Sequence, residues 1–315
     1  MTRGIKIFFI VFILSLPFWW GANDFQKKFE DFLFWEKMAD NSQLLTAQLI
    51  QEEKLEKMKP IREWQIGDLD IGATSGISVF VNSNGSGKIL FEKEIDKVLP
   101  IASLIKLMTA DIVWEDYDPS LIVEITKLKD LGNFKIGEKF SVGALLYPLL
   151  MESSNDAAVA LAQIIGEKSF VDLMNLEAKN LGMENTNFVN PTGLDPDNPG
   201  EPKNYSTVED LVKLTIHLLK TKPKIMEILA TPEIDFYTPE GVFHHKLKNT
   251  NQLLNEIDGI IGGKTGWTDE AQGCLLLVTI APKNRGEIIN VILGSENRFE
   301  EMKNLINWIN SAYRW

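Results

Sequence analysis

The succession of hydrophobic patterns predicts an α/β domain of the α+β type. It would hold a mainly antiparallel sheet built from both termini of the domain, flanked by helices, with a helical subdomain inserted between. Three observations carry this expectation. Early in the chain, Gly76–Asn82 and Lys88–Glu92 flank Asn84-Gly85-Ser86-Gly87, turn residues that accept the left-handed backbone of a hairpin. Late in the chain, Cys274–Ile280 and Glu287–Leu293 flank Pro282–Gly286, a second hairpin. Between them, from Ser103 to about Lys220, the apolar spacing is helical.

The elements follow in order from the N-terminus. Arg3 and Lys6 precede the apolar run Ile7–Trp20, which reads as an export segment with the remainder of the chain outside. At about 1.5 Å per residue the run covers roughly 21 Å, nearer a signal-peptide core than a full bilayer crossing. Cleavage after Ala22 would put the bulky Trp20 three residues before the cut, so residues 1–22 are expected to stay as a membrane anchor. Residues 23–69 read as a helical stalk or spacer, with Ser42 as N-cap, Leu45, Leu49 and Ile50 on one face and Pro60 as a stop. Residues 70–315 form the expected domain, closed by an amphipathic helix carrying Phe299, Met302, Leu305, Ile306 and Ile309.

Composition narrows the function. With 315 residues and 44% hydrophobic content the chain can bury one sizeable core and a smaller appendage. A net charge of −12 argues against a nucleic-acid binder, which needs many Lys and Arg facing phosphate. The single cysteine, Cys274, lies in an apolar run and reads as a buried small hydrophobe.

Gly262-Gly263-Lys264-Thr265-Gly266-Trp267 invites a phosphate-loop reading, but Asp258 stands where that loop needs its first glycine, and a strand-like run follows instead of a helix. No nucleotide site is expected. Lys264 therefore needs another anion.

Two further clusters supply the context. In Ser103-Leu-Ile-Lys106, serine and lysine three apart share a helix face. Free N–H groups of the first turn would stabilise an oxyanion there, and a buried lysine could act as base. Ser153-Ser154-Asn155-Asp156 stands between apolar helices, Leu145–Leu150 and Ala157–Ile165. Each cluster alone has a plainer meaning: a capping serine with a surface lysine, helix caps, or a turn with a solvated lysine. Roughly one Ser-x-x-Lys is expected by chance in a chain of this length.

Their order changes this. Ser-x-x-Lys, Ser-x-Asn and Lys-Thr-Gly follow one another at 103, 153 and 264, whereas the second Ser-x-Asn, at Ser295, is out of order. Together with Leu145–Leu161, Phe188–Leu194, Asn251–Leu254 and Lys264–Ala271, they make residues 70–315 resemble the low-molecular-mass penicillin-binding proteins that are D-alanyl-D-alanine carboxypeptidases. That resemblance implies the β-lactamase/transpeptidase-like fold. It implies Ser103 as acylated nucleophile, Lys106 as its base and Ser153 as proton relay to the leaving amine. Asn155 would bind the substrate backbone; Lys264 and Thr265, in the Lys-Thr-Gly motif with Gly266, would hold the terminal carboxylate. Lys264's charge would help keep Lys106 neutral. The amides of Ser103 and Trp267 would form the oxyanion hole, and Arg298, which reads more simply as a surface arginine, is a further carboxylate partner.

The implied partners are peptidoglycan stems ending in D-Ala-D-Ala, β-lactams as covalent inhibitors, and the cell membrane through the N-terminal segment. No cofactor or metal is implied. His217, His244 and His245 lack metal-ligand spacing and read as scaffold. A β-lactamase of the same fold would need a deacylating glutamate in a Glu-x-x-Leu-Asn context; the nearest string, Glu177–Leu181, inverts the last two residues. A non-catalytic peptidoglycan-binding module would not need nucleophile and base together. The motifs leave carboxypeptidase and endopeptidase specificity open.

Overall fold

The computed structural model describes residues 59–315, except 83–86, 131, 197 and 199. The proposed anchor, most of the stalk and the tip of the first hairpin lie outside the described residues. In chain order the elements begin with β1 (Ile61–Arg62), β2 (Ser75–Val81), β3 (Gly87–Lys93) and β4 (Leu99–Pro100), then a 3-10 turn, Ala102–Ile105, that leads into α1 (Lys106–Asp116). The helical region holds β5 (Ile122–Glu124), β6 (Lys139–Ser141), α2 (Val142–Met151), α3 (Asn155–Gln163), α4 (Glu167–Asn180), β7 (Tyr205–Ser206), α5 (Val208–Thr221) and α6 (Pro223–Leu229). The chain returns through β8 (Glu233–Tyr237), β9 (Phe243–Lys248), β10 (Ile260–Thr268), β11 (Gln272–Ile280), β12 (Glu287–Ser295), α7 (Arg298–Ala312) and β13 (Tyr313–Arg314).

The main sheet has the order β10-β11-β12-β2-β3, with every neighbouring pair antiparallel. The sheet is thus assembled from both ends of the domain, as the hairpins predicted. At the seam between the two ends, Asn290 pairs with Ser78, and Ser78 Oγ donates to Asn290 Oδ1 at 2.8 Å. Both side chains are fully buried, so a one-residue slip would strand two polar groups in the core.

Strand alternation divides the buried residues into two cores. Ile77, Val79 and Val81 of β2, Leu276 and Val278 of β11, and Ile289 and Val291 of β12 join the core shared with the helical region. Phe80, Leu275, Leu277, Ile288 and Ile292 face the other way and pack with Met302, Leu305 and Ile309 of α7. Phe299 and Ile306, expected on the same stripe, are only partly buried against that core. Cys274 is buried, and burial pushes its thiol up to about 12, which leaves it inert.

The folded unit begins earlier than residue 70. Lys59–Trp315 forms one compact unit, in which β1 pairs with β13. Trp308 Nε1 donates to Gly67 O at 2.8 Å, and the Arg62 guanidinium lies 4.9 Å over the Trp308 ring. Two-residue strands and a ring stack leave no periodic trace in a sequence, so residues 61–69 read as spacer. Among the described residues, no helix is long and apolar enough to cross a membrane.

Candidate active site

Ser103 sits in the 3-10 turn between β4 and α1, and Lys106 opens α1 one turn later. The turn is tightly drawn: Ala102 has φ +46°, a left-handed conformation that costs a residue with a Cβ on the order of 1 kcal/mol or more. Two glycines allow its surroundings to close around it. A Cβ on Gly193, whose φ is +85°, would stand 2.1 Å from Ala102 O, and one on Gly266 would stand 3.0 Å from Ser103 N.

Lys106 has no exposed surface. Its Nζ lies 2.9 Å from Ser103 Oγ, 2.7 Å from Asn155 Oδ1 and 2.6 Å from Thr192 O. Burial pulls the ammonium down to about 7, against the opposing charge of Asp130. A neutral amine keeps two N–H groups and one lone pair. Asn155 Oδ1 and Thr192 O can only accept, so both N–H groups go to them. The lone pair then falls to Ser103, the one partner with a proton to give.

That assignment depends on which way the Asn155 amide faces, and Asp130 fixes it. Asp130 Oδ1 accepts from Asn155 Nδ2 and its Oδ2 from the Asn155 backbone N–H, both at 2.6 Å. Asp156 in turn holds the Asp130 segment by accepting from the amides of Lys129 and Asp130. On the other side, Asn190 Oδ1 accepts from Thr192 N, Thr192 Oγ1 and Gly193 N, an Asx turn that aims the Thr192 carbonyl at Lys106. Asp130 and Asn190 carry no catalytic motif of their own. Their signals were a lone acid in a charged loop and an Asn-Pro-Thr-Gly turn.

Ser153 lies in the turn between α2 and α3. Ser154 shapes that turn by donating its N–H to Pro148 O at 3.0 Å and by capping α3 through Ala157 N at 3.2 Å. Ser153 itself has φ +62°, and its buried Oγ has no hydrogen-bond partner among the described residues. A hydroxyl held in strain and left unpaired is available to an incoming group.

Lys264, Thr265 and Gly266 lie inside β10, the edge strand of the sheet, rather than in a turn. Lys264 is 1% exposed. Burial, followed by repulsion from the charges of Lys106 and Arg298, holds its ammonium well below the usual lysine range. This alters one expectation: the low value at Lys106 comes from burial, and the repulsion acts on Lys264. Lys264 Nζ donates to Thr265 O at 2.9 Å, and Thr265 Oγ1 is 2.6 Å from Thr250 Oγ1. Trp267, 56% exposed, forms the outer end of the same strand. Arg298 is half-buried rather than a free surface group: its side chain packs on Gly273 and its guanidinium lies 4.8 Å over the Phe299 ring.

Fold and site together define a class. Penicillin-binding protein D2 from Listeria monocytogenes, solved in an ampicillin-bound form, is similar at a TM-score of 0.67 and 33% identity, covering 77% of this chain and 99% of that one. A mutant of the Streptomyces K15 DD-transpeptidase gives 0.66 and 30%, covering 78% and 100%. The domain has the penicillin-binding, transpeptidase-type fold. Residues 66–297 match the family described as D-alanyl-D-alanine carboxypeptidase, peptidase family S11, and the chain belongs to that family.

Among curated relatives, the D-alanyl-D-alanine endopeptidase of Pseudomonas aeruginosa is 33% identical over 248 residues, 75% of this chain and 77% of the relative. The D-alanyl-D-alanine carboxypeptidase DacF of Bacillus subtilis is 32% identical over 240 residues, 72% of this chain and 59% of the relative.

Proposed function

We propose that the protein removes the terminal D-alanine from peptidoglycan stems by two-step acyl transfer on Ser103. The observation that carries this reading is the hydrogen-bond geometry around Lys106, which leaves its lone pair facing the Ser103 hydroxyl. Lys106 takes the proton as Ser103 Oγ bonds to the carbonyl carbon of the D-Ala-D-Ala peptide bond. The tetrahedral oxyanion rests on the backbone N–H groups of Ser103 and Trp267. As the C–N bond breaks, Ser153 passes its proton to the departing amine and takes the Lys106 proton in its place, so D-alanine leaves with a neutral amino group and Lys106 is a free amine again. Water then attacks the acyl-enzyme, giving up its proton to Lys106, which returns it to Ser103 Oγ as the ester C–O bond breaks.

Lys264 and Thr265 hold the terminal carboxylate, with Arg298 adding positive charge from the start of α7. An entering carboxylate opposes the effect of burial and favours the charged form of Lys264. Asn155 binds the substrate's peptide group while its amide remains anchored on Asp130. Glu177 has no part in deacylation under this reading: it lines a cavity whose walls include none of Ser103, Lys106, Ser153 or Lys264. A β-lactam entering the same site acylates Ser103 and stays.

The basic residues and apolar run at 3–20 support attachment at the membrane with the domain on its outer side. Cleavage of stem cross-links is a second reading, supported by the 33% identity to the D-alanyl-D-alanine endopeptidase of Pseudomonas aeruginosa. Labelled penicillin tests the acyl-enzyme. One label per chain on the wild type and none on Ser103→Ala is expected; equal labelling of both would sink the assignment of Ser103.

A further inference from the structure

A second group of chemistry-bearing side chains lies where α1, α4 and α5 meet, away from the acyl-transfer residues. Asp111, Glu177 and His217 come one from each helix, and one ligand atom of each lies within 4.8 Å of the others. The Asp111 carboxylate is buried, with its Oδ1 3.1 Å from His217 Nε2. They line a cavity of about 470 Å³ whose walls also carry Glu115, Asp116 and Lys222. Lys222 pairs with Glu115. The wall therefore holds four carboxylates against one ammonium, and Asp111 is drawn out of water with the His217 imidazole beside it and the Lys222 ammonium near enough to act on its charge.

We propose that Asp111, Glu177 and His217 form a binding site for a divalent transition-metal ion, taken up from the adjacent cavity. Asp111 Oδ1 and His217 Nε2, hydrogen-bonded to each other at 3.1 Å, lie close to the roughly 3.4 Å that two ligands about 2.1 Å from one ion span at a tetrahedral angle. One imidazole nitrogen with two carboxylate oxygens suits zinc or manganese better than magnesium or calcium, which favour oxygen alone. His217 binds through Nε2 with its ring proton on Nδ1. Asn180 Nδ2, 3.0 Å from Glu177 Oε2, steadies that carboxylate from outside. An ion held here ties α4 and α5 to α1, the helix that Lys106 opens. The wide spacing of 111, 177 and 217 in the chain hides the set from any short metal motif.

Titration calorimetry of the full chain with Zn²⁺, paired with thermal melts, tests the site. One ion per chain is expected, with a Tm that climbs with Zn²⁺. Glu177→Gln and His217→Gln should each weaken binding more than about tenfold, while both variants keep wild-type labelling by penicillin, which shows that they are folded. Absence of saturable binding below about 100 µM, or unchanged affinity in both variants, overturns the proposal. So does binding that survives His217→Gln but disappears when His244 and His245 are replaced by alanine, which would place the ion on that neighbouring pair.

Discussion

In the proposed mechanism the chemistry turns on Lys106, and its environment makes the pH dependence predictable. With its ammonium lowered to about 7 by burial, the amine is neutral above that value and protonated below it. Acylation by penicillin should therefore rise with pH through about 7 and level off above, read as the rate of label uptake across a pH series. For stability, the folded group releases its proton near 7 while the unfolded lysine holds one to 10.5, so this group's contribution favours folding increasingly as pH rises across that interval. Asp130→Ala removes the anchor of the Asn155 amide. Loss of a buried hydrogen-bond partner is worth about 1–3 kcal/mol, so acylation should slow by about 10–100-fold, read by stopped-flow labelling. Motif order singles out Ser103, Lys106, Ser153, Asn155 and Lys264 in the sequence; Asp130 and Thr192, which contact Asn155 and Lys106, carry no such mark, since one acts through a carboxylate in a charged loop and the other through a backbone carbonyl.

At the scale of elements, β10 explains why part of the site resembled a loop in sequence. Its three glycines give it poor strand propensity, yet each has a close neighbour on its Cβ side. A Cβ on Gly262 would meet Met226 Cε at 2.4 Å, one on Gly263 would meet Leu277 Cδ1 at 2.7 Å, and one on Gly266 would meet Ser103 N at 3.0 Å. Tertiary contact thus overrides local preference, and the strand runs beside the Ser103 turn. Gly266→Ala should leave the β10–β11 ladder and the Tm near wild type. It should push the strand off the Ser103 turn, lowering acylation by about 100-fold; unchanged labelling with an unchanged Tm would show that this close approach is not needed. The two hairpins and α7 were legible because their periodicity is strong. The pairings β1–β13 and β4–β7 involve two residues a side and depend on partners more than a hundred positions away.

Over the whole molecule, one sheet with opposite faces buried in two cores holds three distant segments of chain together. Ser103 follows the first hairpin, Ser153 comes from the helical insert, and Lys264 comes from the returning edge strand. The seam between β2 and β12 closes this arrangement, and with it the site. In the proposed function this assembly breaks the D-Ala-D-Ala bond through Ser103. Its most direct test is mass spectrometry of a stem pentapeptide ending in D-Ala-D-Ala after incubation with the purified protein. Loss of one D-alanine with the wild type and an intact peptide with Ser103→Ala is the predicted result; an intact peptide with both, or equal loss with both, would contradict it.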